Sequence, residues 1–217
     1  MKTNIEEPSR ELLYNNSITV DTLERQEQID PAMMKVIRYS GPNDEYGFLG
    51  NMKGGIPFTA LGQNWRSSEH LYLLGEWSLA GQEDIQRDVL SAPSGYAAKR
   101  YKKAKHKKEI RSDFSTFRHH WMLWTVWQKC SNPDFRKRLL SLPDDAVIVE
   151  VEKNDPVWAA EEQPSGILIG ANAMGKILTI CRRHLAEGTV PPIDTEMLNN
   201  AGIYILGHKI EITHEDN

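Results

Sequence analysis

The chain has 217 residues, 40% of them hydrophobic and 26% charged, with a formal net charge of −4. That is enough for one domain with a covered core, and the apolar share excludes a chain disordered for want of hydrophobic residues. No run of about 18 apolar residues occurs, so no membrane span is expected. Only Cys130 and Cys181 are present, without a C-x-x-C, which argues against a disulfide framework or a thiolate zinc site. The start, MKTNIEEPSRELL, lacks a basic head followed by an apolar stretch, so no secretory signal is expected and a cytoplasmic location is the default.

Residues 1–33 read as an acidic extension, with 3 Lys or Arg against 7 Asp or Glu. Within it, Asp21-Thr22-Leu23-Glu24 is a capping-box pattern that predicts one short helix. MKVIRYS, residues 34–40, predicts a strand, and the Gly-Pro-Asn-Asp-Glu-Tyr-Gly cluster after it a loop. Ser67 is the expected N-cap of a helix carrying Glu69, His70, Leu73, Leu74 and Trp77. Further helices are expected over 83–91, 94–105, 113–130 and 133–141, the last behind Asn132-Pro133. AVIVEVE, from Ala146, alternates as a strand does. Lys153 to Ile169 reads as a loop, and a helix follows from Ala173 to Leu185. TVPPIDTEMLNN is linker-like, and IYIL-GH-KIEI predicts a two-residue hairpin with Gly207 at the first turn position. The expected class is therefore α+β, a mostly helical single domain with a small sheet over 34–186, with a C-terminal extension over 187–217.

The mild net charge hides an asymmetry. Between Gly95 and Leu140 there are 13 Lys or Arg against 3 Asp or Glu, an excess of +10. Such a belt, densest in KRYKKAKHKKEIR, suits a phosphate backbone, although a charge run by itself is more often a solvated helix face.

GANAMGK, residues 170–176, fits G-x-x-x-x-G-K, the start of a nucleotide-hydrolase phosphate loop. Ile177 stands where that loop needs a Ser or Thr on magnesium, and no βαβ context surrounds it, so a nucleoside triphosphatase is not expected. Three other stretches carry chemistry-bearing residues. In QNWRSSEHLYLLGEW, Glu69 falls in the first helical turn, where it is either a cap or a carboxylate aimed from the helix mouth. His70 in the same stretch reads first as a packing residue. In EKNDPVW, Asp155 is either an Asx-turn residue or a carboxylate at a strand end beside Trp158. Two such carboxylates meeting in one aromatic-walled hollow would suit cleavage of a glycosidic bond. Phe114, Phe117, Trp121 and Trp124 recur at helix spacing and are expected in the core, with Phe114 closest to any pocket. No His, Asp, Glu or Cys set has metal-ligand spacing, so neither metal nor cofactor is expected.

In order, FLGNM, NWRSSEH, AAKRYKK with RSDF, EKNDPVW and GANAMGKIL resemble the NADAR domain family, also called YbiA-like, over about Phe48 to Leu185. The resemblance implies a mixed fold with a helical core and one cleft, and N-glycosidase activity on ribosylated bases. One family activity removes ADP-ribose from guanine in nucleic acid, reversing DarT-type toxins. The other cleaves ribosylamino-pyrimidine phosphates of riboflavin biosynthesis. A third outcome is an ADP-ribose-binding antitoxin without catalysis. The resemblance assigns Glu69 and Asp155 to catalysis, with Lys99 as an amine able to capture a ribose aldehyde. It assigns Asn51, Trp158, Asn172 and Gly175 to substrate binding, and Trp65, Ser68, His70, Lys102 and Phe114 are expected to line the same site. The implied partner is ADP-ribosylated DNA or ADP-ribose, with a DarT-type toxin as a further one. Two departures stand out. Tyr101-Lys102 replaces the family's Gly-Arg in a segment about two residues longer, and Phe114 replaces a Trp.

Overall fold

A computed structural model describes residues 20–213. In chain order the elements are β1 (Glu27–Ile29), β2 (Val36–Tyr39), β3 (Phe58–Ala60), β4 (Gln63–Trp65), α1 (Ser68–Leu74) and α2 (Glu83–Leu90). There follow α3 (Gly95–Ala97, a π-helical stretch Ala98–Lys102, then Lys103–Lys105), α4 (Phe114–Lys129) and α5 (Pro133–Leu140). The chain continues through β5 (Val147–Glu150), β6 (Glu161–Glu162), β7 (Leu168–Gly170), α6 (Ala173–Glu187), α7 (Thr195–Asn200), β8 (Tyr204–Ile205) and β9 (His208–Lys209). The class is α+β, mostly helical with small sheets. The described residues fall into two compact units. The first joins the chain up to Gly50 with Lys137–Thr189, and the second joins Asn51–Arg136 with the chain from Val190.

The first unit is built on β5. Val147, Ile148 and Val149 are all buried, as a strand covered on both faces requires. On one edge it pairs in parallel with β2, Val36 opposite Val147. β2 alternates, burying Ile37 and Tyr39 and exposing Arg38. A separate antiparallel sheet runs β1-β7-β6. Ile29, Val147, Val149, Ala160 and Leu168 close the core between them. α6 packs on β5 and ends at Gly188, whose φ of 66° supplies the left-handed cap.

The second unit is built around α4. Phe117, Trp121 and Trp124 are almost fully buried. The two indoles stack at 5.0 Å between centroids, and Trp121 Nε1 donates to the Tyr72 carbonyl at 2.9 Å. The aromatic stripe is core, as its spacing predicts. The chain from Val190 is tied to this unit by polar bonds. The Tyr204 amide donates to Ser78 O, Gln86 holds Tyr204 O and the Leu206 amide, and Arg111 donates to Ala201 O at 2.6 Å.

Several expectations are corrected. Asp21 lies inside a 3₁₀ turn, Val20–Thr22, rather than capping a helix. The acidic extension contains β1, and the loop expected over 153–169 contains β6 and the start of β7. These strands are two or three residues long and owe their form to long-range pairing, not to any local pattern. The hairpin β3–β4 stands where the sequence predicts no strand. TVPPIDTEMLNN is not all linker, since Asp194 Oδ1 accepts from the Met197 amide at 2.7 Å and starts α7. The last hairpin turns one residue earlier than expected, on Leu206-Gly207. Both have positive φ, which makes Gly207 the second turn residue.

Candidate functional site

In the second unit the candidate residues gather around the start of α1. Ser67 occupies the N-cap position, but its hydroxyl makes no cap bond. It instead meets His70 Nδ1 at 2.8 Å, while His70 Nε2 reaches the Ala92 carbonyl at 3.2 Å. The carbonyl can only accept, so Nε2 carries the proton and Nδ1 accepts from Ser67. Burial pushes the His70 imidazole below its usual range, with the Ala92 carbonyl opposing and Arg66 adding to the shift. His70 is thus a neutral strut that fixes the turn bearing Glu69.

Glu69 itself is buried, 5% exposed. Its amide donates to Asn51 O at 3.1 Å. Ser68 Oγ donates to Asn51 Oδ1 at 2.8 Å, and Asn51 Nδ2 meets Met122 Sδ at 3.0 Å. This places Asn51, Ser68 and Glu69 in one hydrogen-bonded corner. The start of α3 closes on the same corner. A Cβ at Gly95 would lie 2.9 Å from Glu69 Cβ and 3.0 Å from Ser67 Oγ, so only glycine permits the approach. Gly95 was missed in the sequence. The signal was there in Ser94, whose hydroxyl caps the helix by accepting from the Ala97 amide.

Of the aromatic candidates, Trp65 is in the core with its indole N–H on Ala60 O at 2.9 Å. Phe114 is buried against Tyr72 and Phe117. Lys99 and Lys102 lie on the π-helical stretch of α3. Lys102 Nζ is held by Asp88 Oδ1 at 2.6 Å, and Asp88 also takes Lys105 and His106. These hydrogen bonds hold the Asp88 carboxyl far below the usual carboxylate range. Lys103 pairs with the buried Glu76. Burial raises the Glu76 carboxyl, with Lys103 and then Lys99 opposing. Arg111 is buried and forks onto Asp113. The basic belt is therefore partly an internal ion-pair network. Eight Lys or Arg from Gly95 to Arg111, set against Glu76, Asp88, Glu109 and Asp113, leave a local excess of +4.

In the first unit the other candidates stand together at the start of α6. Asp155 Oδ1 accepts from the Trp158 amide at 2.9 Å, three residues on, as an N-cap side chain does, and the turn is entered through Asn154 at a φ of 62°. Trp158 is half-buried. The carbonyls of Val157 and Trp158 accept from the amides of Ala173 and Met174. The first two amides of the helix are thus engaged by this loop, as is the Asn172 amide by Ala159 O. Asn172 has a φ of 50° and spends its amide on β5, donating to Ile148 O at 2.8 Å and accepting from Glu150 N at 3.1 Å. A Cβ at Gly175 would strike Ile148 O and the Asn172 amide. Lys176, the lysine of the apparent phosphate loop, is buried and donates to Thr22 O, Leu23 O and Arg25 O at 3.2, 3.4 and 2.9 Å, with Glu27 at 3.1 Å. GANAMGK is a packing motif here, not a nucleotide cradle. Among the described residues no cluster of three or more His, Cys, Asp or Glu is arranged to hold a metal, and no helix is long and apolar enough to cross a membrane.

The NADAR domain model matches residues 38–186. The chain belongs to the NADAR domain family. That family is associated with N-glycosidase-like activity. Among solved structures, the NMR structure of the E. coli protein YbiA resembles this NADAR protein with a TM-score of 0.57, covering 71% of this chain and 86% of that one. At 24% identity the likeness establishes the shared fold. No curated protein matches.

Proposed function

We propose that this NADAR protein is an N-glycosidase that removes ADP-ribose from guanine bases in DNA. The observation carrying this is the buried carboxylate of Glu69, set on a helix turn that Ser67, His70, Asn51 and Gly95 fix from three sides. In this reading Glu69 takes a proton from water as its oxygen bonds to the anomeric carbon. The C–N bond breaks, its electron pair stays on guanine, and the base takes up a proton. Lys99 stands ready for a released ribose aldehyde, and Lys102, Asn51 and Phe114 serve the ligand. Asp155 and Trp158 lie in the other unit, and their roles at the ribose and the base rest on the family resemblance. Residues 34–186 are the catalytic part, with 1–33 and 187–217 as additions. The remaining +4 of the belt draws the protein to a phosphate backbone. A DarT-type toxin is the enzyme whose product it would reverse.

A second reading, cleavage of a ribosylamino-pyrimidine phosphate, is favoured by the internal pairing of Lys102, Lys103 and Lys105, which weakens the case for a polymer. The two separate on one experiment. Wild type and Glu69→Gln are incubated with oligonucleotides ADP-ribosylated on guanine or thymine and with the small metabolite, and products are read by mass. Release from guanine by wild type alone supports the proposal. Full turnover by Glu69→Gln removes it. ADP-ribose binding without product from any substrate assigns the protein as a non-catalytic binder.

A further inference from the structure

Two of the large apolar side chains most open to solvent, Tyr96 at 51% and Tyr101 at 61% exposure, stand on the same helix, α3. The Arg100 guanidinium lies 5.7 Å from the centroid of each ring and donates to the Tyr96 hydroxyl. This grouping follows from the helix type. In an α-helix, residues five apart point about 140° away from each other around the axis. The π-helical stretch Ala98–Lys102, with its wider i→i+5 turn, swings Tyr101 toward the side of Tyr96. It falls in the segment where this chain is longer than the family pattern and carries Tyr101-Lys102 in place of Gly-Arg.

We propose that Tyr96, Arg100 and Tyr101 form a stacking platform for the unpaired bases of single-stranded nucleic acid. Two exposed rings with a cation between them offer flat π faces to successive bases, and the face of a base is open for stacking only when it is unpaired. The chain next to the platform complements the phosphates. Lys107 and Lys108 are exposed on the following 3₁₀ turn and have no ion pair among the described residues. A buried apolar face, as a membrane-lying helix needs, is not what these side chains present. The platform deepens the reading above, and rests on it only for its use in delivering a modified strand to the site.

The test uses the full chain and a fluorescein-labelled, unmodified oligonucleotide, single-stranded or annealed, followed by anisotropy across a salt series. Wild type is expected to bind the single strand more tightly than the duplex. Tyr96→Ala and Tyr101→Ala should each weaken single-strand binding by about 5- to 150-fold and leave duplex binding and the far-ultraviolet dichroism unchanged. Tyr101→Phe, which keeps the ring, should bind as wild type does. Lys107→Ala should lower the salt slope by about 0.7. Wild-type single-strand affinity in both alanine variants, or wild-type preference for duplex or for anionic lipid vesicles, overturns the platform. Release of ADP-ribose from a modified guanine nucleoside, too small to reach the platform, should be unaffected in the tyrosine variants. Loss of strand binding in those variants alongside full turnover by Glu69→Gln would keep the platform and remove the glycosidase. The opposite pattern would do the reverse.

Discussion

Replacing Lys176 by Met tests whether GANAMGK is architecture. Met keeps the aliphatic stem and removes the ammonium. In the wild type that ammonium serves the Thr22, Leu23 and Arg25 carbonyls and the Glu27 carboxylate, all at 2.9 to 3.4 Å, from a position only 4% exposed. Burial lowers the Lys176 pKa and outweighs the opposing pull of Glu27. Hence the pair is not a large net gain in itself, but breaking it from one side is costly. Removing the cation takes away the ammonium partner of a buried carboxylate and the donor of main-chain carbonyls, which together cost about 3 kcal/mol. The double variant Lys176→Met with Glu27→Gln removes the charge and should recover more than half of that. Urea unfolding gives the stability change, and hydrogen exchange should show protection lost first over residues 20–29. The Lys176 contribution to stability should rise as the pH climbs toward about 10.4, because the unfolded chain binds the Lys176 proton more tightly than the folded one. Tyr39, whose pKa burial raises, pulls the other way in the same range but is present in both proteins, so the difference between the wild-type and Lys176→Met curves isolates Lys176. A loss below about 1 kcal/mol with unchanged exchange at 20–29 would refute the clamp.

Three further outcomes are expected. Gly175→Ala should cost about 3 kcal/mol in urea unfolding, because its methyl meets Ile148 O and the Asn172 amide, both held by β5. Asn172→Ala should cost about 2 kcal/mol through two lost bonds to β5 and a left-handed φ that alanine tolerates poorly; a purely ligand-contacting Asn172 would leave the melting point untouched. His70 is depressed by burial, so the unfolded chain binds the extra proton. Stability should be full above about pH 6.5 and fall as the pH drops through the folded value. His70→Gln should flatten that part of the stability curve; His184, also depressed, remains in both proteins, so the difference between the two curves isolates His70.

The elements legible in the sequence are those whose burial follows a local period. α4 repeats its aromatic residues at helix spacing, β2 alternates, and Asn132 starts α5 by accepting from the Phe135 amide. The illegible ones are set by partners far along the chain. β1 is Glu-Gln-Ile, three residues with no apolar pattern, and is a strand because Glu27 to Ile29 pair with Gly170 to Leu168. Both hairpins turn on Leu-Gly, with Leu61 and Leu206 at positive φ. Leucine carries a steric cost there and signals no turn, so the pairing strands impose it. The π-helical stretch in α3 has no compositional mark of its own and differs from a plain helix only in register.

The site divides along the same line. Residues that carry the family resemblance need not carry the chemistry. Asn172, Gly175 and Lys176 make the last motif recognisable, yet each is spent on β5 or on the carbonyls at 22–25. His70 and Trp65 are likewise engaged with main-chain carbonyls. Ser68 donates to Asn51 Oδ1, and the Asn51 carbonyl takes the Glu69 amide. The helix turn that bears Glu69 is thereby fixed by its neighbours. In the proposed reaction such preorganisation would let the site meet a developing sugar cation without rearranging. The same rigidity explains why Gly95 matters: a methyl there would push α3 off the Glu69 turn and loosen the one corner where position counts most.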